Sequence, residues 1–236
     1  MMSMIRCVLF DMGNTLVAYY IRRETQQVLK ECLDCVVEDM DRRGLGYVGD
    51  DLKERFDSQA REESDHRVKP LWRRISVAWD LDDHASVEAL QLEVQKAFLE
   101  PIFARGRIYP DTLPTLRRLK EAGYITGIVS NTPWGSPGDL WREELDRMGL
   151  ISATDFQAFC TDAGWRKPAP QIFEHVLDLA GVPPEACLFV GDDPRWDTLG
   201  AHNAGMRALL IDREGELTED DGPRIEALGE VFDHLS

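Results

Sequence analysis

No apolar run in this chain is long enough to cross a bilayer: the longest stretches, such as residues 8–10 and 187–190, fall far short of the roughly 20 residues required. A soluble chain is expected. Positive charge is also scarce, with Lys+Arg 27 against Asp+Glu 43 for a formal net charge of −16. The average surface therefore repels a nucleic-acid backbone and an anionic membrane, and neither is an expected partner. An anionic small substrate needs a local cationic pocket, built by particular residues. Cysteines number five, and an odd, small set does not make a disulfide framework. Cys32 and Cys35 form a lone C-x-x-C in a helix-like segment; with no second pair to complete a zinc site, they read as ordinary reduced thiols. The first residues lack the apolar stretch and small-residue cleavage site of a signal peptide, which leads to the expectation of a cytoplasmic protein. Internal repeats and low-complexity segments are absent too.

What is present alternates. Residues 5–10, 126–129, 156–160, 187–190 and 207–211 are short, apolar and bounded by turn residues, the pattern of buried strands. Helix-like residues 140–148, 170–180 and 198–203 fall between the last four, the final one stopping at Gly205. Such alternation predicts an α/β fold, a Rossmann-like parallel sheet with right-handed crossovers. Residues 21–103 break the rhythm. They are highly charged, contain no convincing strand and repeat helical spacings such as Val28, Cys32, Cys35, Val36 and Val87, Leu90, Val94, Phe98. The expected division is a core of residues 1–18 and 104–236 with an inserted all-helical cap of residues 19–103. A helix is expected to start near Pro110-Asp111, and another over residues 224–232 after a solvated acidic loop, "EGELTEDDGP". In "HRVKPLWRR" the spacing of Leu71, Trp72, Ile75 and Trp79 favours a plain core-facing helix over a substrate-pocket wall.

Ligands of open parallel sheets bind beyond the carboxyl ends of the strands. Asp11, Gly13, Asn14 and Thr15 follow the first strand, "SNT" at residues 130–132 the second, a loop with "WRKP" the third, and "GDDPRWD" the fourth. Asp11 alone reads equally as a helix cap, and Lys167 as a surface lysine; Arg166 reads as solvent-exposed. Asp139 is the better cap for the helix after "PWGSPGD", which leaves that loop, with Trp134, for specificity. Asp192, Asp193 and Asp197 hold more acid than one N-cap requires. Together these groups suit phosphoryl transfer. A carboxylate can attack phosphorus to form an aspartyl-phosphate. Mg²⁺, held by Asp11 and Asp192, removes the repulsion between nucleophile and phosphate. Lys167 and Ser130 can hold the remaining phosphate oxygens.

The four motifs resemble those of the haloacid dehalogenase superfamily, in its Mg²⁺-dependent phosphatase branch with a helical cap after the first motif. "DMGNT" is similar to D-x-D-x-T, which implies Asp11 as nucleophile, Thr15 as its supporting hydroxyl and the Gly13 carbonyl as a metal ligand. "IVSNT" implies Ser130, with Asn131 beside it, in phosphate binding. "WRKPAPQIF" carries Lys167. "FVGDDPRWDTLGA" carries Asp192 as metal ligand, with Asp193 and Asp197 in or near the metal shell. The resemblance implies a hydrolase acting on a small phosphorylated substrate. One departure stands out: the family's second aspartate, its acid and base, is Gly13 here. Asp193, Tyr19, Tyr20 and His66 are candidates to replace it. The missing acid also suits a 2-haloacid dehalogenase-like hydrolase, or a catalytically weak binding protein on the same fold. Against dehalogenation stands the acidic "GDD", where metal-free dehalogenases carry Ser-Asn.

Overall fold

The computed structural model describes residues 4–46, 49, 51–58, 66–81, 88–213, 215 and 222–235. Strand β1 (Cys7–Phe10) is buried along its whole length because it lies mid-sheet: Cys7 and Leu9 enter one apolar core, Val8 and Phe10 the other. A short antiparallel pair follows, β2 (Val17–Ala18) with β3 (Arg107–Ile108). The remaining strands are β4 (Ile125–Ser130), β5 (Phe156–Phe159), β6 (Cys187–Gly191), β7 (Arg207–Ile211) and β8 (Arg224–Ile225). They form a parallel sheet with β1 in the order β5-β4-β1-β6-β7-β8. Strand order reverses at β1, so the ligand crevice of this α/β fold opens beyond Phe10.

Between β2 and β3 run α1 (Thr25–Arg42), α2 (Leu52–Ser58), α3 (Leu71–Trp79) and α4 (Glu88–Arg105). The apolar stripe of α1, Val28, Leu29, Cys32, Leu33, Val36 and Met40, packs with Val94, Phe98, Leu99 and Ile102 of α4. Leu71, Ile75 and Trp79 of α3 are buried as their spacing predicts. Aromatic contacts seat these helices on the sheet's carboxyl rim. Phe98 stacks on Phe56 at 5.7 Å and meets Trp134 edge-on at 5.5 Å. Trp141 receives Tyr19 at 5.5 Å and Phe103 at 4.9 Å, each near perpendicular. Pairs of this kind contribute about 0.5–1.5 kcal/mol each beyond their burial.

On one face of the sheet lie α5 (Thr112–Glu121), α6 (Gly138–Arg147) and α7 (Leu150–Ala153); on the other, α8 (Cys160–Ala163), α9 (Pro170–Ala180) and α10 (Leu199–Asn203). Some expectations are corrected. Residues 224–232 are not one helix: Arg224–Ile225 is a strand, Ile225 pairing with Ile211 and extending the edge of β7, and the helical part is a 3-10 helix, Leu228–His234. The Asp111 carboxylate fixes that helix by accepting the Leu228 N–H at 2.8 Å. Edge pairing satisfies backbone groups that a helix start would leave orphaned. Asp139 does not cap α6; it lies inside the first turn, exposed, and pairs with Arg142 at 3.1 Å. Helix α4 runs through Pro101 to Arg105. Val87 and most of "EGELTEDDGP" lie outside the described residues.

Candidate active site

Asp11 continues β1 by one hydrogen bond, its N–H donating to Val190 O at 2.8 Å. The chain then folds back at once: Leu16 and Val17 both donate to Met12 O, and Asn14 takes the left-handed conformation, φ 55°. Asparagine tolerates that conformation better than most side chains, which is why the turn after the strand is so tight. Asp11 is thereby held on the rim, 7% exposed.

Beside it, at the end of β4, Ser130 donates its hydroxyl to Asp11 Oδ1 at 3.3 Å. Lys167, 1% exposed, donates from Nζ to Asp11 Oδ1 at 2.6 Å, Asp197 Oδ1 at 2.6 Å and Val129 O at 2.9 Å. All three ammonium protons are used. Asn131 holds the lysine's backbone from both sides: its Oδ1 accepts the Lys167 N–H at 2.8 Å and its Nδ2 donates to Lys167 O at 3.1 Å. Its amide is committed to that loop.

The loop after β6 supplies the remaining acid. Asp193 Oδ1 accepts the N–H groups of Arg195 and Trp196 at 2.8 and 3.1 Å, a helix cap. Asp197 Oδ2 accepts the Asp193 N–H at 3.1 Å, while Oδ1 takes Lys167. Asp197 reaches this position because residue 191 is glycine; a Cβ there would overlap the Asp197 carboxylate. Asp192 accepts no hydrogen bond from the described residues.

Oxygen atoms of Asp11, Asp192 and Asp197 lie within 4.8 Å of one another. One ammonium thus faces three carboxylates. Burial, then the charges of Asp11 and Asp197, push Asp192 well above the usual carboxylate range. Asp197 is pushed up to about 7, chiefly by burial, with Lys167 opposing and Asp11 adding to the rise. Burial favours the neutral amine of Lys167, yet Asp11 and Asp197 outweigh it and hold the group charged. A hard cation with oxygen ligands fits this donor set, since it would offset both the burial and the mutual repulsion that raise Asp192 and Asp197.

A cavity of about 520 Å³ lies over these groups, and Asp11, Gly13, Ser130, Asn131, Lys167 and Asp192 line it. Two expected residues are placed elsewhere. Thr15 is fully buried outside the cavity lining, its hydroxyl without a hydrogen-bond partner among the described residues and its carbonyl accepting from Arg213 at 2.8 Å. Trp134, with φ 51°, stacks near Tyr20 and lines an adjoining cavity. Among the candidate proton donors, Tyr19 and Tyr20 line the site and burial pushes both phenols up, which makes them weak acids. His66 lines the adjoining cavity and Asp193 is engaged as a cap. Arg166 is half-buried, its guanidinium 5.3 Å over Trp196, and not solvent-exposed as its sequence position suggests. Sequence reasoning also missed Arg22 and Thr25, at the entry to α1, which line the site; the cationic "IRRET" at residues 21–25, a short way after the first motif, was the available signal.

A parallel α/β sheet with a lysine-bridged carboxylate cluster at its switch point, overlaid by helices inserted after the first strand, defines a class of hydrolase. The model of the haloacid dehalogenase-like hydrolases matches residues 5–205, and the chain belongs to that family. It is 39% identical over 137 residues to a glyceraldehyde 3-phosphate phosphatase of Methanothermobacter thermautotrophicus, covering 57% of this chain and 58% of that protein. It is 33% identical over 161 residues to (S)-2-haloacid dehalogenase 4A of Burkholderia cepacia, covering 64% of this chain and 66% of that one. The chain therefore spans less than two thirds of the length of these two curated relatives. Among solved structures, a HAD phosphatase from Thermococcus onnurineus superposes with a TM-score of 0.67 at 29% identity, covering 98% of each chain.

Proposed function

We propose that this hydrolase is a Mg²⁺-dependent phosphatase of a small phosphomonoester. The observation that carries this reading is the cluster of Asp11, Asp192 and Asp197 with oxygens within 4.8 Å, the pKa values of Asp192 and Asp197 raised by burial and by neighbouring carboxylate charge. Carbon–halogen displacement by Asp11 needs no metal ion, so it leaves the third carboxylate, Asp192, without a role. In this reading Asp11, Asp192 and the Gly13 carbonyl hold the ion, and Asp197 positions Lys167. The bound ion supplies Lewis-acid polarisation of the phosphoryl group and charge neutralisation.

Asp11 Oδ1 is occupied by Lys167 and Ser130. The other carboxylate oxygen attacks phosphorus, and the bond to the leaving alkoxide or phenoxide breaks. Lys167 and Ser130 turn part of their hydrogen bonding to the phosphoryl oxygens as charge spreads there. Water then attacks the aspartyl-phosphate, releasing inorganic phosphate and free Asp11. With Gly13 in place of an acid, the leaving group takes its proton from water.

The proposal divides the chain into a core of residues 1–18 and 104–236 and a cap of residues 19–103; the β2–β3 pair where the helical segment leaves and returns supports that division. A cytoplasmic setting is supported by five cysteines that are all free. The relatives named as phosphatases, for glyceraldehyde 3-phosphate and for phosphoserine, support the substrate class. Gly13 and the relative named as a haloacid dehalogenase favour a second reading, displacement of halide by Asp11. Phosphate release from phenyl phosphate with and without Mg²⁺, beside halide release from 2-chloropropionate, separates the two. Halide release independent of metal, with inert phosphate esters, overturns the proposal.

A further inference from the structure

The chain leaves the core for the helical segment through β2 and returns through β3, and one side chain outside the reaction cavity grips the residues that flank this pair. Arg213, just beyond β7, donates from Nη2 to the Thr15 carbonyl and from Nη1 to Asp111 Oδ2, both at 2.8 Å. Its guanidinium carbon stands 4.1 Å from the centre of the Tyr109 ring. Thr15 precedes β2, while Tyr109 and Asp111 follow β3. The arginine side chain is 10% exposed, and the Asp111 oxygen that receives it also accepts the Leu228 N–H at 2.8 Å. A guanidinium suits this post because its planar fork presents donors in two directions at once and keeps its charge when buried. A lysine offers its donors from a single nitrogen and would meet one acceptor or the other.

What Arg213 holds is the turn that carries the Gly13 carbonyl. A Cβ on Gly13 would meet nothing within 4 Å, so residue 13 has no side chain to anchor it and open space where one would pack. The place of its carbonyl therefore follows from the backbone on either side. Upstream, the Asp11 N–H ties the chain to Val190 O at 2.8 Å. Downstream, Gly13 bridges Val17, and Leu16 and Val17 donate to Met12 O at 2.9 and 3.0 Å, which closes the turn on itself. A closed turn can still pivot as a body. The next carbonyls stop that: Leu16 O accepts the Thr112 hydroxyl at 2.8 Å and the Tyr109 N–H at 3.2 Å, and Thr15 O accepts Arg213 at 2.8 Å. Thr112 and Tyr109 belong to the leg by which the helical segment returns. Arg213 is carried instead by the central sheet, on the strand paired with β6, whose following loop holds Asp192.

We infer that Arg213 is a positioning residue for the metal site: by joining the Thr15 carbonyl to the sheet and to Asp111, it fixes the turn that carries the Gly13 carbonyl relative to Asp11 and Asp192. It acts through the backbone of residues 12–17 and lies outside the cavity lining. The inference rests on the Mg²⁺-dependent phosphatase reading, in which that carbonyl is a ligand.

Titration of the whole protein with Mg²⁺, read by calorimetry and by the Mg²⁺-dependent rise in Tm, tests it without turnover. Arg213→Met is expected to weaken Mg²⁺ binding by about tenfold or more, the usual loss when a partner behind a metal ligand is removed. Arg213→Lys keeps the charge but reaches one acceptor, and is expected to weaken binding by at least about threefold. Val231→Ala truncates a buried side chain in the C-terminal 3-10 helix and leaves the guanidinium in place. That variant is expected to lower Tm with Mg²⁺ affinity within about twofold of wild type, which separates positioning from a general loss of stability. Unchanged Mg²⁺ affinity in a folded Arg213→Met overturns the inference, as does an equal loss of affinity in Val231→Ala. If Arg213→Met does not fold, Arg213→Lys decides, and wild-type affinity in it is the overturning result. Phenyl phosphate left intact by a wild type that binds Mg²⁺, with that binding weakened in Arg213→Met, sinks only the phosphatase reading. Phenyl phosphate hydrolysed by a wild type whose Mg²⁺ affinity Arg213→Met retains sinks only this inference, and a wild type that binds no Mg²⁺ overturns both.

Discussion

Gly13 occupies the one position in the first motif where an acid is missing, and restoring it is a direct perturbation of the chemistry. A Cβ built on Gly13 meets nothing within 4 Å, and the residue is not among those with positive φ. Gly13→Asp therefore places a carboxyl in open space beside Asp11 without backbone strain. On the proposed mechanism the wild-type leaving group departs with little protonation, so phenyl phosphate, whose phenol has a pKa of about 10, should far outpace an alkyl phosphate whose alkoxide is comparable to hydroxide, with a conjugate acid near about 15.7. A positioned general acid is worth about 10²–10⁴-fold, or about 2.7–5.4 kcal/mol of barrier, and that gain falls on the poor leaving group. Gly13→Asp is expected to raise kcat/KM for the alkyl ester by about that factor while changing the aryl ester by less than about tenfold. The assay is phosphate release across a series of substituted aryl and alkyl phosphates for both proteins. A shallow dependence in the wild type refutes the reasoning, because some other group is then donating the proton. So does a folded, metal-binding variant whose slope is unchanged.

Asp11→Asn is expected to lower turnover by more than about 10³-fold with Tm within a few degrees, since Lys167 keeps its bond to Asp197; substantial residual activity removes the nucleophile assignment. Asp197, held at about 7 by burial, binds a proton in the fold that the unfolded chain has released above its usual value of 3.8. Its stabilising share is complete below that usual value and is lost as pH rises through about 7. In metal-free buffer Tm should fall over that window less steeply in Asp197→Asn than in the wild type, and Mg²⁺ should stabilise the wild type more at the upper end; a slope identical in both proteins contradicts the assignment. Asn131→Ala deletes two hydrogen bonds to the Lys167 backbone, about 2 kcal/mol together, and should lower Tm by about 4–8 °C and kcat more than KM. Gly191→Ala should displace the Asp197 carboxylate that its Cβ would overlap, so that activity and the Mg²⁺ effect on Tm fall together; an unaffected enzyme shows that Asp197 has room to move.

The strands and the order of their end residues could be read from the chain because both are local properties. An apolar run flanked by turn residues is a buried strand wherever it falls, as residues 207–211 are in both readings. A parallel sheet then places every strand's following residue on one rim, so Asp11, Ser130, Lys167 and Asp192 belong to one site before any coordinate is known. Where a residue's role depends on what arrives from elsewhere, sequence was mute or misleading. Residues 224–225 became a strand because the edge of β7 was open to them. Thr15 lies outside the cavity lining because the turn at Asn14 folds back so tightly. Asp197 differs from Asp193 only in tertiary company: one meets Lys167 and the other caps a turn. The cations of "HRVKPLWRR" lie on a plain helix and its approach, as the spacing implies, and line a cavity as well, because residues 66–69 are clamped against the loop that holds Lys167. Spacing along the chain reports which face of a helix is apolar. Only packing decides what the polar face looks at.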